Sequence, residues 1–482
     1  MQAIVMAGGE GSRLRPLTAN RPKPLVPVGN KPIMEYILNL LAEHGIQDIM
    51  ATLHYLADEI RSYFDDGSDY NVNLSYSVED IPLGTAGSVK KAESFLKDAP
   101  FLMISGDALT DCDLTKAYEF HKRHGAIATV ILYRVDNPLE YGMVTQDEDG
   151  RILRFLEKPS WSEVFSDTVN TGMYILEPEI LELMERGKVY DWSQDIFPML
   201  LESGKPIYGY VMDGYWCDIG TMNQYREAQE TVLSGKTKLR PAGEEIRRGV
   251  WTGQNCVIHE DVTLIPPVCL GRGCKIKRNA KIGPYTVIAD NALIEEGAQI
   301  EHSIVWDSPY IGHNVKVFGA MLGTRITLKR DVSIQEDVVI GDRCLVDVGS
   351  TLRSGIKLWP DKIIERGSTV TMSLIWGNKW RGSLFRNLGI AGISNIEIAP
   401  DFAVKLGSAF GSILDNQASV VTTRDSTRSS RMIKRAMIAS LLSVGCNILD
   451  LRNTAPAVAR YYIHTTNNFS FPVNQNKSLP FI

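Results

Sequence analysis

The sequence of 482 residues lacks long hydrophobic runs, basic stripes and paired cysteines. No apolar run approaches the ~18 residues that a membrane-spanning helix needs. The net charge is −6 and no basic stripe stands out, which argues against nucleic acid as a partner. The N-terminus leads straight into a glycine-rich loop, so we expect no signal peptide. A protein that acts away from membranes and nucleic acids is therefore predicted.

The seven cysteines are scattered, odd in number and without a Cys-x-x-Cys pair. Neither a zinc site nor a disulfide framework is predicted, and a reducing cytoplasm is the simplest location. The hydrophobic share of 44% is that of a globular protein, and the length suggests about three domains on the ~150-residue prior.

The N-terminal stretch predicts a phosphate-binding loop. An apolar strand candidate at residues 3–6 runs into a loop that contains Gly8, Gly9 and Gly11. Glycines let successive backbone N–H groups approach an anion without a Cβ in the way. The loop lacks the Gly-Lys-Ser/Thr end of a Walker loop and the third glycine of the dinucleotide fingerprint. The positive charges that follow the glycines are Arg13, Arg15 and Lys23.

Residues 6–32 resemble the signature of sugar-1-phosphate nucleotidylyltransferases. The matching segments are Met6-Ala-Gly-Gly-x-Gly-x-Arg13-Leu, Pro16-Leu-Thr, Pro22-Lys23-Pro24 and Lys31-Pro32. The resemblance implies that Arg13 contacts the phosphates of a nucleoside triphosphate and that Lys23 steadies the reacting phosphate. It also implies that the triphosphate is wrapped by the loop residues Ala7, Gly8, Gly9, Gly11, Ser12 and Arg13.

Helix and strand patterns alternate over residues 1–235, which we predict to form one domain. The alternation predicts a parallel sheet with helices on both faces, and with the resemblance it indicates an α/β Rossmann-like nucleotidyltransferase domain. In such sheets ligands bind at the carboxyl ends of the strands. Two aspartates follow apolar strand candidates, Asp107 in Ser-Gly-Asp and Asp218 in Cys-Asp-Ile-Gly. Mg²⁺ prefers one or two carboxylates plus substrate phosphates, and the resemblance assigns it to these two aspartates.

A third cluster predicts the sugar-phosphate site. Glu157 and Lys158 stand in Glu-Lys-Pro at a predicted strand end, and Asn170 offers an amide that both donates and accepts. The resemblance assigns these segments, together with Thr171 and Gly142, to the sugar phosphate.

The turn Pro-Leu-Gly-Thr-Ala-Gly resembles the base-binding turn of the family, with Gly84, Thr85 and Ala86 as nucleotide contacts. Uridylyl- and adenylyl-type relatives often carry glutamine where this chain has Pro82, so the turn is closer to that of guanylyltransferases acting on mannose 1-phosphate. Glu79 is a candidate acceptor for the ring N–H and amino group of guanine.

The implied reaction needs no protein nucleophile, because a sugar-1-phosphate oxygen attacks the α-phosphorus of the triphosphate and expels pyrophosphate. Unit charges ~4 Å apart at an effective dielectric of ~20 repel by roughly 4 kcal/mol. We expect Mg²⁺, Arg13, Lys23 and Lys158 to neutralise that repulsion, so that catalysis rests on positioning and electrostatics.

Residues 250–372 carry a six-residue repeat of aliphatic side chains. The repeat positions are Ile258, Leu264, Leu270, Ile276, Ile282, Ile288, Ile294 and Ile300, and then Leu328, Ile334, Ile340, Val346, Leu352 and Leu358. This period predicts a left-handed parallel β-helix of hexapeptide repeats, with residues 301–327 out of phase as a loop or irregular coil. We interpret the β-helix as an element of homo-oligomerisation. Many hexapeptide proteins are acyltransferases with a catalytic histidine, but no acyl-coenzyme A motif accompanies His259, His302 or His313.

Residues 380–482 resemble the first domain of phosphohexomutases such as phosphomannomutase. The matching segments are Leu384-Phe385-x-Asn-Leu-Gly389-Ile-Ala-Gly392, Pro400-x-x-Ala403, Arg424-Asp425-Ser-Thr-Arg428-Ser-Ser430 and Pro456-x-x-Ala459-Arg460. The serine loop of the mutases is absent, so we expect an incomplete α/β domain without mutase activity, in a chain that is truncated or frameshifted. The asparagine-rich end, after Ile463, is predicted to be partly disordered.

The leading prediction is synthesis of GDP-mannose from GTP and mannose 1-phosphate with Mg²⁺. Two alternatives stay open: uridylyl, adenylyl or thymidylyl transfer to glucose 1-phosphate, and a non-catalytic regulatory subunit of the same fold. Regulatory relatives tend to lose active-site residues, whereas this chain retains Arg13, Lys23, Asp107, Glu157, Lys158 and Asp218.

Overall fold

The structure is a computed structural model that describes residues 1–157, 166–376, 379–380, 390, 394–395, 398–414 and 417–465. The chain divides into two compact units, residues 1–361 with 369–373, and residues 362–368 with 374–482. Among the described residues, no helix is long and apolar enough to cross a membrane.

The first unit begins with an α/β region. Its strands are β1 (Gln2–Met6), β2 (Pro27–Val28), β3 (Lys31–Pro32), β4 (Asp48–Leu53), β5 (Asn73–Val78), β6 (Phe101–Ser105), β7 (Ala108–Thr110), β8 (Ala128–Arg134), β9 (Gly142–Gln146), β10 (Ile152–Glu157), β11 (Thr168–Leu176), β12 (Ile207–Val211) and β13 (Trp216–Asp218). Its α-helices are α1 (Ile33–Glu43), α2 (Ala57–Phe64), α3 (Gly84–Lys91), α4 (Leu114–His124), α5 (Phe197–Glu202) and α6 (Met222–Leu233). Short 3₁₀ turns cover Ser12–Leu14, Leu17–Ala19, Lys23–Leu25, Ser68–Tyr70, Glu93–Phe95 and Pro178–Leu183, and a π-helical turn covers Trp192–Ile196.

The central sheet has nine strands and two covered faces. Its order is β10-β9-β11-β6-β1-β4-β5, with β8 beside β11 and β12 beside β8. Neighbouring residues of β1 point to opposite faces, so that Val5 packs with α1, α2 and α4 while Ile4 packs with α3 and α5. The predicted α/β fold, with helices on both faces of the sheet, is confirmed.

The prediction of a wholly parallel sheet is wrong. Strands β1, β4, β5 and β6 are mutually parallel, but β11 runs antiparallel to β6, β8 and β9. A parallel neighbour needs a long crossover connection, usually a helix, whereas antiparallel strands are joined by short turns. Between β8 and β11 the described residues form the antiparallel β9–β10 pair and no helix. The sheet is therefore mixed.

The unit continues as a parallel β-helix with three faces. The first face consists of Glu244–Arg247, Val250–Thr252, Val268–Leu270, Thr286–Ile288, Ile304–Val305, Met321–Leu322, Val339–Ile340 and Lys357–Leu358. The second face in this unit consists of Val257–Ile258, Lys275–Ile276, Leu293–Ile294, Tyr310–Ile311, Thr327–Leu328 and Leu345–Val346. The third face consists of Thr263–Leu264, Lys281–Ile282, Gln299–Glu301, Lys316–Phe318, Ser333–Ile334, Thr351–Leu352 and Thr369–Val370. The predicted hexapeptide architecture is confirmed.

Residues 301–327, predicted as a loop or irregular coil, continue the coils with an irregular step, so the loop alternative is wrong and the irregular coil is what the structure shows. Ile300 pairs with Val317 and Val317 with Ile334, so these two steps take 17 residues each, whereas the step from Ile282 to Ile300 takes 18. In each short coil the corner between the third and the first face is one residue shorter. The first short corner comes just before Ile304 and the second just before Met321. Two missing residues shift the sequence phase while the stack of strands stays intact.

The second unit has a small α/β core. Its strand Ile363–Ile364 pairs in parallel with Lys379–Trp380, and Ser419–Arg424 pairs in parallel with Asn447–Asn453. Its helices are α7 (Pro400–Ser412), α8 (Arg428–Ser443) and α9 (Pro456–Thr465). The predicted mutase-like segment at 384–392 lies mostly outside the described residues, as does the asparagine-rich end from residue 466.

Candidate active site

The glycine-rich loop leaves the sheet at the carboxyl end of β1. The backbone N–H of Ala7 donates to the carbonyl of Thr52 at 2.9 Å, and the N–H of Gly106 donates to that of Met6 at 2.7 Å. Gly8 lies against His54, and nothing lies within 4 Å of a Cβ built on Gly9. The loop is thus fixed at its base and open at its tip, as a loop that wraps a ligand must be.

Gly11 is the point where the loop contacts the turn that carries Lys23. Its φ is +60°, in the left-handed region, and a Cβ there would stand 3.1 Å from the Cβ of Lys23. The hydroxyl of Thr18 donates to the Gly11 carbonyl at 2.7 Å and holds the loop in this position. The residues that follow, Ser12 and Arg13, are exposed at the start of a 3₁₀ turn.

Lys23 lies between two aspartates. Its Nζ donates to Asp107 Oδ2 at 2.7 Å and to Asp218 Oδ1 at 2.9 Å. The lysine side chain is 7% exposed, and the aspartate side chains are 24% and 32% exposed. Three residues spread over almost 200 positions of the sequence therefore share one partly buried charge cluster.

A small two-stranded sheet brings the aspartates together. Asp107 stands between β6 and β7, and its Oδ1 accepts from the hydroxyl of Ser105. Strand β13 pairs antiparallel with β7, so that Asp218 stands opposite Ala108. This pairing places both carboxylates at the edge of the sheet where the glycine-rich loop begins.

The charges of the cluster perturb one another. Burial opposes the charge on Lys23, but the charges and hydrogen bonds of Asp107 and Asp218 outweigh it and raise the pKa of Lys23 above its ordinary value. Burial also opposes the charge on Asp107, but Lys23 outweighs it and lowers the pKa of Asp107. Lysine is therefore cationic, and Asp107 anionic, throughout the physiological range.

The two carboxylates fit a shared divalent metal. The position held by the lysine Nζ is within hydrogen-bond distance of both of them, which shows that they can surround one cation. Among the described residues, no group of three or more His, Cys, Asp or Glu side chains could hold a metal alone. Mg²⁺ commonly takes one or two carboxylates and completes its shell with water and substrate phosphates. The donor set therefore suits a metal that arrives with a nucleotide.

Arg13 reaches the same edge from the other side of the loop. A Cβ built on Gly220 would stand 2.6 Å from Arg13 Nη2, so the guanidinium lies directly against Gly220. Gly220 follows Asp218 by two residues. The structure thus brings the four predicted catalytic residues together, namely Arg13, Lys23, Asp107 and Asp218.

Glu79 is a buried carboxylate with an unused oxygen. It follows β5 directly and is 7% exposed. Its Oε2 accepts from the backbone N–H of Leu83 at 3.2 Å, while its Oε1 is buried with no hydrogen-bond partner among the described residues. The main-chain carbonyl of Glu79 lies 3.0 Å from His54 Nδ1. Because His54 also packs against Gly8, it connects Glu79 to the glycine-rich loop.

Residues 190–192 contact the predicted base-binding turn. A Cβ built on Gly84, whose φ is +76°, would stand 2.4 Å from the Tyr190 carbonyl. The Thr85 hydroxyl donates to Asp191 at 2.8 Å, and the N–H of Ala86 donates to Tyr190 at 2.9 Å. The Thr85 side chain and the Ala86 N–H are therefore used within the protein.

The predicted sugar-phosphate residues lie around a distortion of β11. The Asn170 amide nitrogen donates to the hydroxyls of Tyr174 at 2.8 Å and Ser193 at 3.0 Å, and its oxygen accepts from the N–H of Gly172 at 2.9 Å. The buried Thr171 hydroxyl donates to a main-chain carbonyl at 2.6 Å. Gly142 is buried at the start of β9, opposite Glu157. Lys158 lies outside the described residues, as does the side chain of Glu157.

Residues that the sequence did not single out connect these sites. Trp216 Nε1 donates to the Thr171 carbonyl at 3.2 Å, and so links the strand of Asp218 to the sugar-phosphate segment. Gln224 donates to the hydroxyl of Tyr141 at 2.8 Å, next to Gly142. The signal that the sequence offered for Trp216 is its position, two residues before the candidate metal ligand Asp218.

Comparisons of the sequence with known proteins identify its family. The sequence matches the nucleotidyl transferase family over residues 2–235, the GMPPB C-terminal domain over residues 264–371, and the phosphoglucomutase/phosphomannomutase α/β/α domain I over residues 382–471. It is 40% identical over 332 residues to UTP–glucose-1-phosphate uridylyltransferase from Synechocystis sp., covering 66% of this chain and 86% of that one. It is 34% identical to mannose-1-phosphate guanyltransferase from Emericella nidulans, covering 73% and 96%, and 32% identical to mannose-1-phosphate guanylyltransferase from Mycobacterium tuberculosis, covering 63% and 82%.

The sheet, the β-helix and the charge cluster define a nucleotidyltransferase with an appended mutase-like region. The chain belongs to the nucleotidyl transferase family and is similar to its mannose-1-phosphate guanylyltransferases. Enzymes of this family act on nucleotides and sugar phosphates and generally use a divalent metal.

Proposed function

We propose that the protein transfers GMP from GTP to mannose 1-phosphate and so makes GDP-mannose. A phosphate oxygen of mannose 1-phosphate forms a bond to the α-phosphorus of GTP. The bond between that phosphorus and the oxygen bridging to the β-phosphate breaks, and pyrophosphate leaves with the electron pair. No proton needs to be removed from the nucleophile, because a sugar phosphate is already an anion at neutral pH.

The charge cluster supports this chemistry. Lys23 and Arg13 neutralise the phosphates, while the backbone of the glycine-rich loop, which is open at Gly9, supplies N–H donors. Asp107 and Asp218 would hold Mg²⁺, which when bound draws the phosphates together and offsets their charge. The other residues of the chain need only position the two anions.

Glu79 carries the choice of base. The Watson–Crick edge of guanine presents two donors, the ring N–H and the amino group, and a carboxylate only accepts. The buried Oε1 of Glu79 lacks a donor among the described residues. Uracil presents one N–H between two carbonyl oxygens, which would face the carboxylate with like charge. A guanine therefore suits this position better than a uracil.

The second candidate is UDP-glucose synthesis, which is favoured by the 40% identity to the Synechocystis uridylyltransferase. The two functions separate in a pyrophosphate-release assay that combines GTP, ATP, UTP and dTTP with each of the two sugar phosphates. We expect release with GTP and mannose 1-phosphate. Release only with UTP and glucose 1-phosphate would replace the first candidate by the second, and no release with any pair would favour a regulatory subunit.

Glu79→Gln tests the base contact itself. The amide turns one acceptor into a donor, so kcat/KM for GTP should fall about tenfold or more, the scale of one bidentate base contact. The matched control is Asp80→Asn, the same change at the adjacent exposed carboxylate. Equal kinetics for Glu79→Gln and wild type would refute the role of Glu79.

The remaining assignments rest on the sequence patterns together with the family resemblance. We assign nucleotide transfer to residues 1–235, self-association to the β-helix at residues 250–372, and a mutase-like fold without mutase activity to residues 380–482. We also assign the sugar phosphate to Gly142, Glu157, Lys158, Asn170 and Thr171, and the protein to the cytoplasm. Sedimentation of the full chain tests the self-association, since a monomer would contradict it.

A further inference from the structure

We propose that the β-helix positions the catalytic lysine. The relevant part of the chain is the lysine segment, residues 21–32, which contains Lys23 and the hairpin of β2 and β3. Hydrogen bonds tie both ends of this segment to the β-helix. The inference rests on the role proposed for Lys23 and adds residues that act on it from outside the α/β region.

The first anchor lies two residues before Lys23. The Arg21 guanidinium lies over the ring of Trp306, 4.6 Å from its centroid. Its Nη2 is 3.2 Å from the Thr324 hydroxyl and 3.4 Å from Asp307 Oδ2. Stacking on an aromatic face and pairing with a carboxylate fix a planar guanidinium in both position and orientation.

The middle of the segment is held by α6, which itself contacts the β-helix. The Tyr225 hydroxyl donates to the carbonyl of Pro27 at 2.6 Å and accepts from Trp306 Nε1 at 3.0 Å. Gln229 donates to the same carbonyl at 2.7 Å and accepts from the N–H of Gly29 at 2.8 Å. Tyr225 and Trp306 are almost fully buried, so these bonds are shielded from water.

The second anchor is the tip of the hairpin. Asn30, with a φ of +65°, donates from its side-chain nitrogen to the Ile288 carbonyl at 2.9 Å and to Cys269 Sγ at 3.3 Å. Both acceptors belong to the first face of the β-helix. The hairpin that follows Lys23 therefore ends against the coils.

The consequence concerns where the lysine Nζ stands. Lys23 begins a 3₁₀ turn only two residues after Arg21, and its side chain is packed to 7% exposure. A displacement of the anchored backbone moves Nζ relative to the reacting phosphate. A misplacement of about 1 Å can cost about 10²-fold in rate. We infer that Arg21, Trp306, Asp307 and Thr324 are positioning residues, which touch no reacting atom.

The partners of Arg21 lie in the stretch of the β-helix that departs from the six-residue spacing. Trp306 and Asp307 follow the first short corner and Thr324 follows the second. The first anchor therefore lies on the two shortened coils, whereas the second anchor, at Cys269 and Ile288, lies on regular coils.

The test uses the full chain with the double substitution Asp307→Ala and Thr324→Ala. Asp307 has a side chain 38% exposed, so the change should not prevent folding. The matched control is Glu296→Ala, which removes an equally exposed carboxylate from an ion pair within the β-helix, the 3.0 Å pair with Arg278. We expect kcat to fall about tenfold in the double variant, with little change in KM for GTP, and to stay at the wild-type value in the control.

A cycle with Lys23→Met separates positioning from general loss of structure. If the contacts act through Lys23, the double substitution lowers kcat in the wild-type background and has no further effect in the Lys23→Met background. Partial recovery of kcat by Asp307→Asn, which retains an acceptor for Arg21, is also expected.

Three outcomes would overturn the inference: an unchanged kcat in the double variant, an equal loss in the Glu296→Ala control, or an equal loss in the Lys23→Met background. Unchanged turnover of Lys23→Met itself would instead refute the proposed role of Lys23, which is a separate failure.

Discussion

The α/β region and the β-helix of the first unit place their charged side chains in opposite ways. In the β-helix, ion pairs connect residues one coil apart on the outside, as in Arg272–Asp290 and Arg343–Asp361. In the α/β region, Lys23 is buried between two carboxylates at the end of the sheet. Exposed pairs are screened by water and contribute little, whereas a buried charge depends on its partners. Charged side chains therefore form exposed ion pairs in the β-helix and a partly buried cluster in the α/β region.

The two regions also differ in where their regularity ends. The coils of the first unit repeat with 18-residue steps except at two steps, which shorten to 17 residues where Trp306, Asp307 and Thr324 contact Arg21. In the α/β region, the residues proposed for the chemistry lie in the loops after β1 and β6 and at the end of β13. The following predictions compare the shortened coils and the charge cluster with regular, exposed parts of the β-helix.

Trp306→Ala should have the largest effect. Trp306 is 1% exposed, and loss of such a side chain costs about 3–5 kcal/mol. The matched variant inside a regular coil is Ile276→Ala, at a residue 2% exposed, for which we expect about 2–5 kcal/mol. Thermal melting should fall for both, but kcat of the folded protein only for Trp306→Ala. Equal kcat values in the two variants would remove the functional difference between irregular and regular coils.

Lys23→Met should destabilise the protein more than Arg343→Met. Removing one partner of a buried pair costs about 3–5 kcal/mol, and the partial exposure of the two aspartates reduces this to about 2 kcal/mol. Arg343 and Asp361 are about half exposed, so their loss should cost less than about 1 kcal/mol. Melting curves of the two variants check the order, and a larger loss for Arg343→Met would reverse it.

Lys23→Met should also bind Mn²⁺ more tightly than wild type when no nucleotide is present. The lysine ammonium competes with a metal for Asp107 and Asp218, and its removal leaves both carboxylates to the ion. We expect an affinity at least about tenfold higher, the effect of one modest charge interaction, by electron paramagnetic resonance of free Mn²⁺. Adding Asp218→Asn should abolish the gain, and an affinity equal to wild type would contradict the shared cation position.

The stability difference between wild type and Lys23→Met should depend on pH. The pKa of Asp107 is lowered in the folded protein, so its stabilisation is present above ~3.9 and is lost as the pH falls through the folded value. The pKa of Lys23 is raised, so its stabilisation is present below ~10.4 and is lost as the pH rises through the folded value. Neither group titrates over the range ~5–9. We therefore expect the difference in melting temperature between wild type and Lys23→Met to be constant between pH 6 and 9. The difference should become smaller at more acid and at more alkaline pH. A difference that grows towards acid pH would contradict this assignment.

Asn279→Val should have a small effect confined to the β-helix. Asn279 occupies a corner with a φ of +56°, a conformation that costs a branched residue about 1–2 kcal/mol. Asn279→Gly is the matched control, since glycine adopts this conformation freely. We expect a lower melting temperature for valine only and unchanged kcat in both, and a loss of kcat would show that regular coils also influence the site.

The sequence allowed much of this fold to be predicted because its periods are local. Asp113 and Gly125 are local signals that cap the two ends of α4, and the aliphatic repeat from Ile258 predicted the coils. The phase break at residues 301–327 left a loop and an irregular coil as alternatives, because two corners that are each one residue shorter change the phase without ending the strands. The antiparallel direction of β11 was missed because nothing within that segment records the direction of its neighbours.

The candidate site was predicted residue by residue but not as a geometry. Strand ends indicated Asp107 and Asp218, yet their shared contact with Lys23 depends on the pairing of β7 with β13 across more than 100 residues. The contacts of Arg21 with Trp306 and Asp307 span almost 300 residues and follow no local period. Long-range pairing of this kind becomes visible only when the chain is folded.

The most direct test of the account is a competition in one vessel. The protein is incubated with Mg²⁺, equal concentrations of GTP, ATP, UTP and dTTP, and equal concentrations of mannose 1-phosphate and glucose 1-phosphate, and the nucleotide sugars are measured by mass spectrometry. The account predicts that GDP-mannose is the main product. A mixture dominated by UDP-glucose would contradict the assignment of Glu79 and of guanylyl transfer.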